Sequence, residues 1–141
     1  MTEPDARAAA LARLRHEMAW PPFHQVLRPR ALEADPENGT VVIGLAYDDT
    51  LRRSPDDTSY HGGVIASLID LAGHAAIAVK IGRTAPTIDL RIDYLRPAAG
   101  SDLTATATLI KAGRSVARVD IAITDDRGRQ IAIGRGTYST L

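Results

Sequence analysis

The stretch HGGVIASLIDLAGHAAIAV, His61 to Val79, is apolar on every side at helical spacing, yet it holds a carboxylate at Asp70 and an imidazole at His74. A membrane span needs about 20 predominantly apolar residues and tolerates few charges. Val64 to Val79 is shorter and has both polar groups near its middle, so a buried helix is the expectation. Such a helix has no face fit for water, and the rest of the chain must wrap around it.

Beyond the helix the period changes to that of strands. TIDLRIDYL (Thr87 to Leu95) alternates strictly, with Ile88, Leu90, Ile92 and Tyr94 on one face and Thr87, Asp89, Arg91 and Asp93 on the other. RPAAGSD turns it, and LTATATLIKA (Leu103 to Ala112) returns. Gly113-Arg114 is a tight connection to SVARVDIAIT (Ser115 to Thr124), and DDRG leads to RQIAIGRGTYST (Arg129 to Thr140). In that last strand Ala132, Gly134 and Gly136 give one face very small side chains, which lets a helix approach closely. Arg91 and Arg118 alternate with Asp89, Asp93 and Asp120 and read as cross-strand charge pairs.

Upstream, Asp5 to Ala19 reads as a modest amphipathic helix on the surface, stopped by Pro21-Pro22. Gln25 to Ala34 is a weak strand candidate, and TVVIGLAY (Thr40 to Tyr47) pairs back on it through the DPENG turn. The expected fold is α+β: a curved antiparallel sheet wrapped around a long central helix, the hotdog arrangement. One domain covers 1–141, with an N-terminal helix and connection over 1–22, the central helix over 61–80 and antiparallel strands over 85–140.

Composition narrows the function. Lys plus Arg equals Asp plus Glu at 17 each, so overall charge gives no reason to expect a nucleic-acid or membrane partner. The absence of cysteine removes disulfides, thiolate metal sites and a cysteine nucleophile. The N-terminus carries acids and arginines where an export signal needs an apolar core, and a cytoplasmic location is expected.

Asp70 is the sharpest single feature, because a carboxylate among apolar residues costs several kcal/mol unless it is paired, protonated or beside a cavity. An internal hydrogen bond or ion pair is one reading, and a reacting group is the other. His61-Gly62-Gly63 opens the helix, where the first amides lack intrahelical partners and can polarise a carbonyl. A simple tight turn would use the same glycines. From Gly63 to Asp70 is seven residues, about 10 Å of helix. One small group cannot touch both within a chain, so a shared site predicts a dimer. His74 lies one turn after Asp70 and either orients that carboxylate or is a core histidine satisfied by a backbone group. His16 and His24 are expected on the surface.

HGGVIASLIDLAG, followed by PTIDLRIDYLRPA and KAGRSVARVDIAITDDRGRQIAIGRGTYST, resembles the PaaI-like branch of the hotdog-fold acyl-CoA thioesterases from about Tyr60 to the C-terminus. The resemblance implies hydrolysis of an acyl-CoA thioester by a homodimer, or a dimer of such dimers, with no metal and no cofactor beyond the coenzyme A of the substrate. It assigns Asp70 as general base or nucleophile, the Gly62 amide as the group polarising the carbonyl, His61 as the residue shaping that loop, and Thr87 as a partner of the attacking water. Gly63 and His74 fall beside the substrate. Arg96, Lys111, Gly113, Arg114 and Ser115 lie in segments that contact coenzyme A in relatives, and basic groups there suit its phosphates. Relatives place an asparagine six residues before the histidine and a glycine three before it, where this chain has Pro55 and Thr58. A non-catalytic or weakly catalytic acyl-CoA-binding or regulatory hotdog protein is the alternative, and a carboxylate at position 70 argues against it. A hotdog enoyl-CoA hydratase ranks below both, for want of an Asp-then-His pair in the spacing and loop context of those enzymes.

Overall fold

The computed structural model describes residues 1–141. Helix α1 (Glu3–Ala19) starts on a reciprocal cap, in which the Thr2 hydroxyl accepts from Asp5 N–H and the Asp5 carboxylate accepts from Thr2 N–H. It is less superficial than its composition suggests, since Ala10, Leu14, Glu17 and Met18 are buried. The segment expected to begin a strand at Gln25 instead forms a helical turn, α2 (His24–Leu27), nucleated by the Pro21 and Pro22 carbonyls. It ends at Arg28 in the left-handed region (φ 56°), and Pro29 has no amide with which to extend it. His24 is buried rather than superficial, with Nδ1 3.0 Å from the Met18 carbonyl.

Strands β1 (Arg30–Asp35), β2 (Thr40–Leu45), β3 (Thr87–Tyr94), β4 (Leu103–Ala112), β5 (Val116–Thr124) and β6 (Gln130–Ser139) form one antiparallel sheet in the order β1-β2-β4-β5-β6-β3. This corrects one expectation: β3 and β4 are not a hairpin. The edge of β4 is taken residue by residue by β2, from Thr40 opposite Thr108 to Leu45 opposite Leu103, so β3 lies on the far side against β6. The connection Leu95–Asp102 is a crossover.

Helix α3 (Gly62–Ile81) lies in the hollow of this sheet, as the hotdog arrangement requires. By length and composition it could cross a membrane, but here Leu68, Ile69, Ala72, Ala75 and Ile77 are wholly buried in the core. Small residues set how close it sits. A Cβ at Gly134 would stand 2.6 Å from Ile69 Cγ2, and one at Gly73 would stand 2.2 Å from Tyr138 Oη. The helix ends at Gly82, whose φ of 76° suits glycine.

Three of the four register slips in the sheet turn a large aliphatic side chain outward, and the fourth, between β5 and β6, falls at the buried Ile131. Leu32, Ile88 and Ile110 are the extra residues where the registers of β1, β3 and β4 slip, and they are 44%, 59% and 49% exposed.

Candidate active site

Two sets of polar groups lie along α3, one at its start and one in its middle. At the start, His61 is extended (φ −61°, ψ 133°) and its Nδ1 accepts Gly63 N–H at 2.8 Å. Val64 N–H goes to the His61 carbonyl. Gly62 N–H has no partner in the chain, and it points out of the helix end with the positive pole of the backbone dipoles behind it. The Gly63 amide, expected at the substrate, is occupied by His61. Tyr94, at the far end of β3, donates its hydroxyl to the Gly62 carbonyl at 2.8 Å and fixes that peptide. A cleft of about 380 Å³ opens here, lined by Tyr60, Gly62, Ile65, Tyr94, Leu95 and Arg96 among others.

In the middle of the helix, Asp70 is half-buried and reaches the opposite end of β3. Thr87 Oγ1 donates to Asp70 Oδ1 at 2.7 Å. Strict alternation would have turned Thr87 away from the helix with Asp89. The bulge at Ile88 reverses it: Thr87 stands opposite Tyr138 and Leu90 opposite Gly136, three steps against two, so Thr87 faces α3 and Ile88 faces out. Tyr138 donates to the Asp70 carbonyl at 3.1 Å, and burial pushes its phenol far up, with Asp70 adding to the rise. Asp70 is therefore neither stranded in the core nor ion-paired. It is a carboxylate oriented by one hydroxyl.

His74 makes no hydrogen bond to Asp70. Its Nε2 accepts Ala85 N–H at 3.2 Å, and its Nδ1 lies 3.9 Å from the Glu17 carboxylate, which is the core-histidine reading. Burial holds its pKa below the ordinary value, outweighing the upward pull of Glu17 and Asp70.

The basic candidates separate into two groups. Arg96 lies at the Gly62 cleft. Lys111, Gly113, Arg114 and Ser115 form the β4–β5 end of the sheet, the end shared with Thr87, since Ala112 pairs with Ala117, Ala117 with Tyr138 and Tyr138 with Thr87. Gly113 accepts the Thr140 hydroxyl at 3.0 Å. A larger groove, about 490 Å³, runs over the outer sheet face beside Arg91, Asp93, Asp120 and Arg135 and touches neither Gly62 nor Asp70. On that face the expected charge pairing is made by Arg135 with Asp120, at 2.6 Å, and not by Arg118.

Sequence reading did not single out Tyr94, Tyr138 or Glu17. Tyr138 stands among Gly134, Gly136 and Thr137 in GRGTYST, and a large polar-tipped ring among small residues was the one available signal.

A family model described as the thioesterase superfamily matches residues 59–132. A Halobacterium salinarum protein is 32% identical over 74% of this chain and 76% of its own length. The medium/long-chain acyl-CoA thioesterase YigI of Escherichia coli K12 is 37% identical over 55% of this chain, and this chain spans 60% of that relative's length. In structure, the Escherichia coli PaaI protein of the phenylacetic acid degradation operon matches with a TM-score of 0.84 at 26% identity, covering 96% of each chain. Sequence and architecture agree, and the chain belongs to the thioesterase superfamily, among its hotdog-fold hydrolases acting on thioester bonds.

Proposed function

We propose that this protein hydrolyses acyl-CoA thioesters at a site shared between two copies of the chain, with Asp70 of one copy and the Gly62 amide of the other acting on one carbonyl. The observation that carries this reading is the unpartnered Gly62 amide at the start of α3, set apart from a carboxylate held by Thr87 further along the same helix. Eight residues separate them, about 12 Å of helix. Their ends of β3 differ too: Asp70 meets Thr87 and Gly62 meets Tyr94.

Strand β3 is a sheet edge with no partner, and its exposed apolar residues Ile88 and Tyr94 support its use as an interface. An antiparallel pairing of two such edges sets Thr87 of one copy beside Tyr94 of the next. Each Asp70 then approaches the other copy's Gly62, and the Arg96 group of one copy joins the Lys111 and Arg114 group of the other around one substrate. Two acyl sites result, related by a two-fold axis.

At such a site Gly62 N–H takes up the negative charge that develops on the thioester oxygen. Asp70 either removes a proton from water as that water attacks the carbonyl carbon, or attacks the carbon itself to form a mixed anhydride that water then opens. In both routes the carbon–sulfur bond breaks and coenzyme A leaves as thiolate, which takes up a proton. Thr87 fixes the carboxylate so that its second oxygen, Oδ2, faces the substrate. Relatives bearing acyl-CoA thioesterase names support the substrate class. A pure binding role has no use for an oriented carboxylate beside a free amide.

The test is release of free coenzyme A thiol from a panel of aliphatic, aromatic and hydroxylated acyl-CoAs. Wild-type protein is expected to cleave at least one, and Asp70→Asn, which keeps the Thr87 contact through its own oxygen, to lose about 10²- to 10⁴-fold in kcat. Full activity of that variant, or no cleavage of any acyl-CoA by wild type, overturns the proposal.

A further inference from the structure

One helical turn beyond Asp70, a polar cluster of the buried Glu17 with the half-buried Arg13 and His74 joins α1 to α3. Glu17 is 3% exposed, and its Oε1 lies 2.7 Å from Arg13 Nη2. Arg13 also donates to the Gly82 carbonyl at 3.1 Å, at the C-terminal end of α3. The other carboxylate oxygen of Glu17 faces His74 Nδ1 at 3.9 Å, beyond hydrogen-bond range but close enough to act by charge. Across the ring, Nε2 accepts Ala85 N–H. An amide can only donate, so Nε2 is unprotonated and the neutral ring carries its proton on Nδ1, toward Glu17.

Ala85 is wholly buried and stands two residues before Thr87. Between them, Pro86 has a fixed φ, and its carbonyl accepts Ser139 N–H at 2.8 Å. The tripeptide Ala85-Pro86-Thr87 is stiff, and a displacement at its first residue reaches its third. Thr87 in turn holds Asp70.

We infer that Glu17 and His74 are positioning residues for Asp70: Glu17 selects the Nδ1–H form of His74, whose Nε2 anchors Ala85 and thereby sets Thr87 against the carboxylate. This rests on the role given to Asp70 above. The charged and titratable groups facing His74 are Glu17 and Arg13 from α1, His24 from α2 and Asp70 from α3 itself. When acid protonates Nε2, two donors meet at Ala85 and the anchor is lost.

The first arm of the test needs no substrate. Ring nitrogen NMR of the full chain is expected to show the Nδ1–H form at neutral pH, with the Ala85 amide resonance moving at the same midpoint as His74. An Nε2–H form, or an Ala85 amide blind to that titration, overturns the inference even if no thioester is cleaved, in which case the proposed activity fails separately. The second arm uses an acyl-CoA that wild type cleaves. His74→Phe is expected to lower kcat about tenfold with little change in KM. His74→Gln, whose side-chain oxygen can accept Ala85 N–H without titrating, recovers most of that loss and abolishes the His74 midpoint in the kcat–pH profile. Glu17→Gln moves that midpoint to lower pH, because the carboxylate favours the protonated ring. Equal kcat in the Phe and Gln variants, or an unchanged profile in His74→Gln, overturns the inference.

Discussion

Gly62 stands where a side chain would fit. A Cβ there would meet the Tyr94 ring at 3.6 Å, an ordinary contact, so the site's need at this position is the amide rather than the space. Proline tests that distinction cleanly. The first turn of a helix accepts proline, and the preceding His61, at ψ 133°, already has the extended backbone proline demands of its neighbour. Gly62→Pro is therefore expected to melt within a few degrees of wild type, with kcat down about 10²- to 10³-fold for the loss of one oxyanion donor. Retained activity would remove Gly62 N–H from the mechanism. Asp70 was conspicuous in the sequence as a charge in an apolar helix, whereas the glycine pair at the helix start, which a simple tight turn would also use, drew notice only together with the segments around it. The direction of Thr87 was not. Alternation gives a residue's face only if the register holds, and the slip at Ile88 is written in pairing with β6 rather than in β3 itself.

At the scale of elements, the small residues of β6 and α3 fix the depth at which the helix lies. Tyr138 fills the space left by Gly73 and Gly136, and its hydroxyl reaches the Asp70 carbonyl. Gly73→Ala drives a methyl into that hydroxyl, and with a wholly buried ring there is no outward escape. The expected cost is about 1–3 kcal/mol, read as a lower melting temperature. Substitution at Gly128, where an added Cβ would meet nothing, serves as the contrast for crowding, although its φ of 76° brings strain of its own. The close approach was readable from Ala132, Gly134 and Gly136, since a run of absent side chains on one strand face has few other uses. The crossover between β3 and β4 was not readable. Two strands of matching pattern joined by a short polar segment look like a hairpin, and only the prior claim of β2 on the β4 edge excludes it.

For the whole molecule, acid is expected to act in two stages. His74 titrates lower when folded than when unfolded, so as pH falls below about 6.5 the unfolded chain takes the proton first and stability declines. The second stage begins below about 4. Burial pushes the Asp125 carboxyl up, but hydrogen bonds from Arg129 and Arg127 bring it below its ordinary value. Asp120 is lowered by Arg135. These contributions are present above the unfolded value and vanish as pH falls through the folded ones. Melting curves from pH 8 to 3 check the order of the two stages, and His74→Gln should flatten the first alone.

The distance between Gly62 and Asp70 also makes the proposed enzyme open to complementation. A chain with Asp70→Asn still offers its amide, and one with Gly62→Pro still offers its carboxylate. Unfolded together and refolded in equal amounts, two inactive preparations should produce mixed pairs in which one site is whole and the other doubly broken. About a quarter of wild-type activity would return from random pairing. A mixture as dead as its components would mean that each chain works with its own groups, across a gap that its own helix holds open.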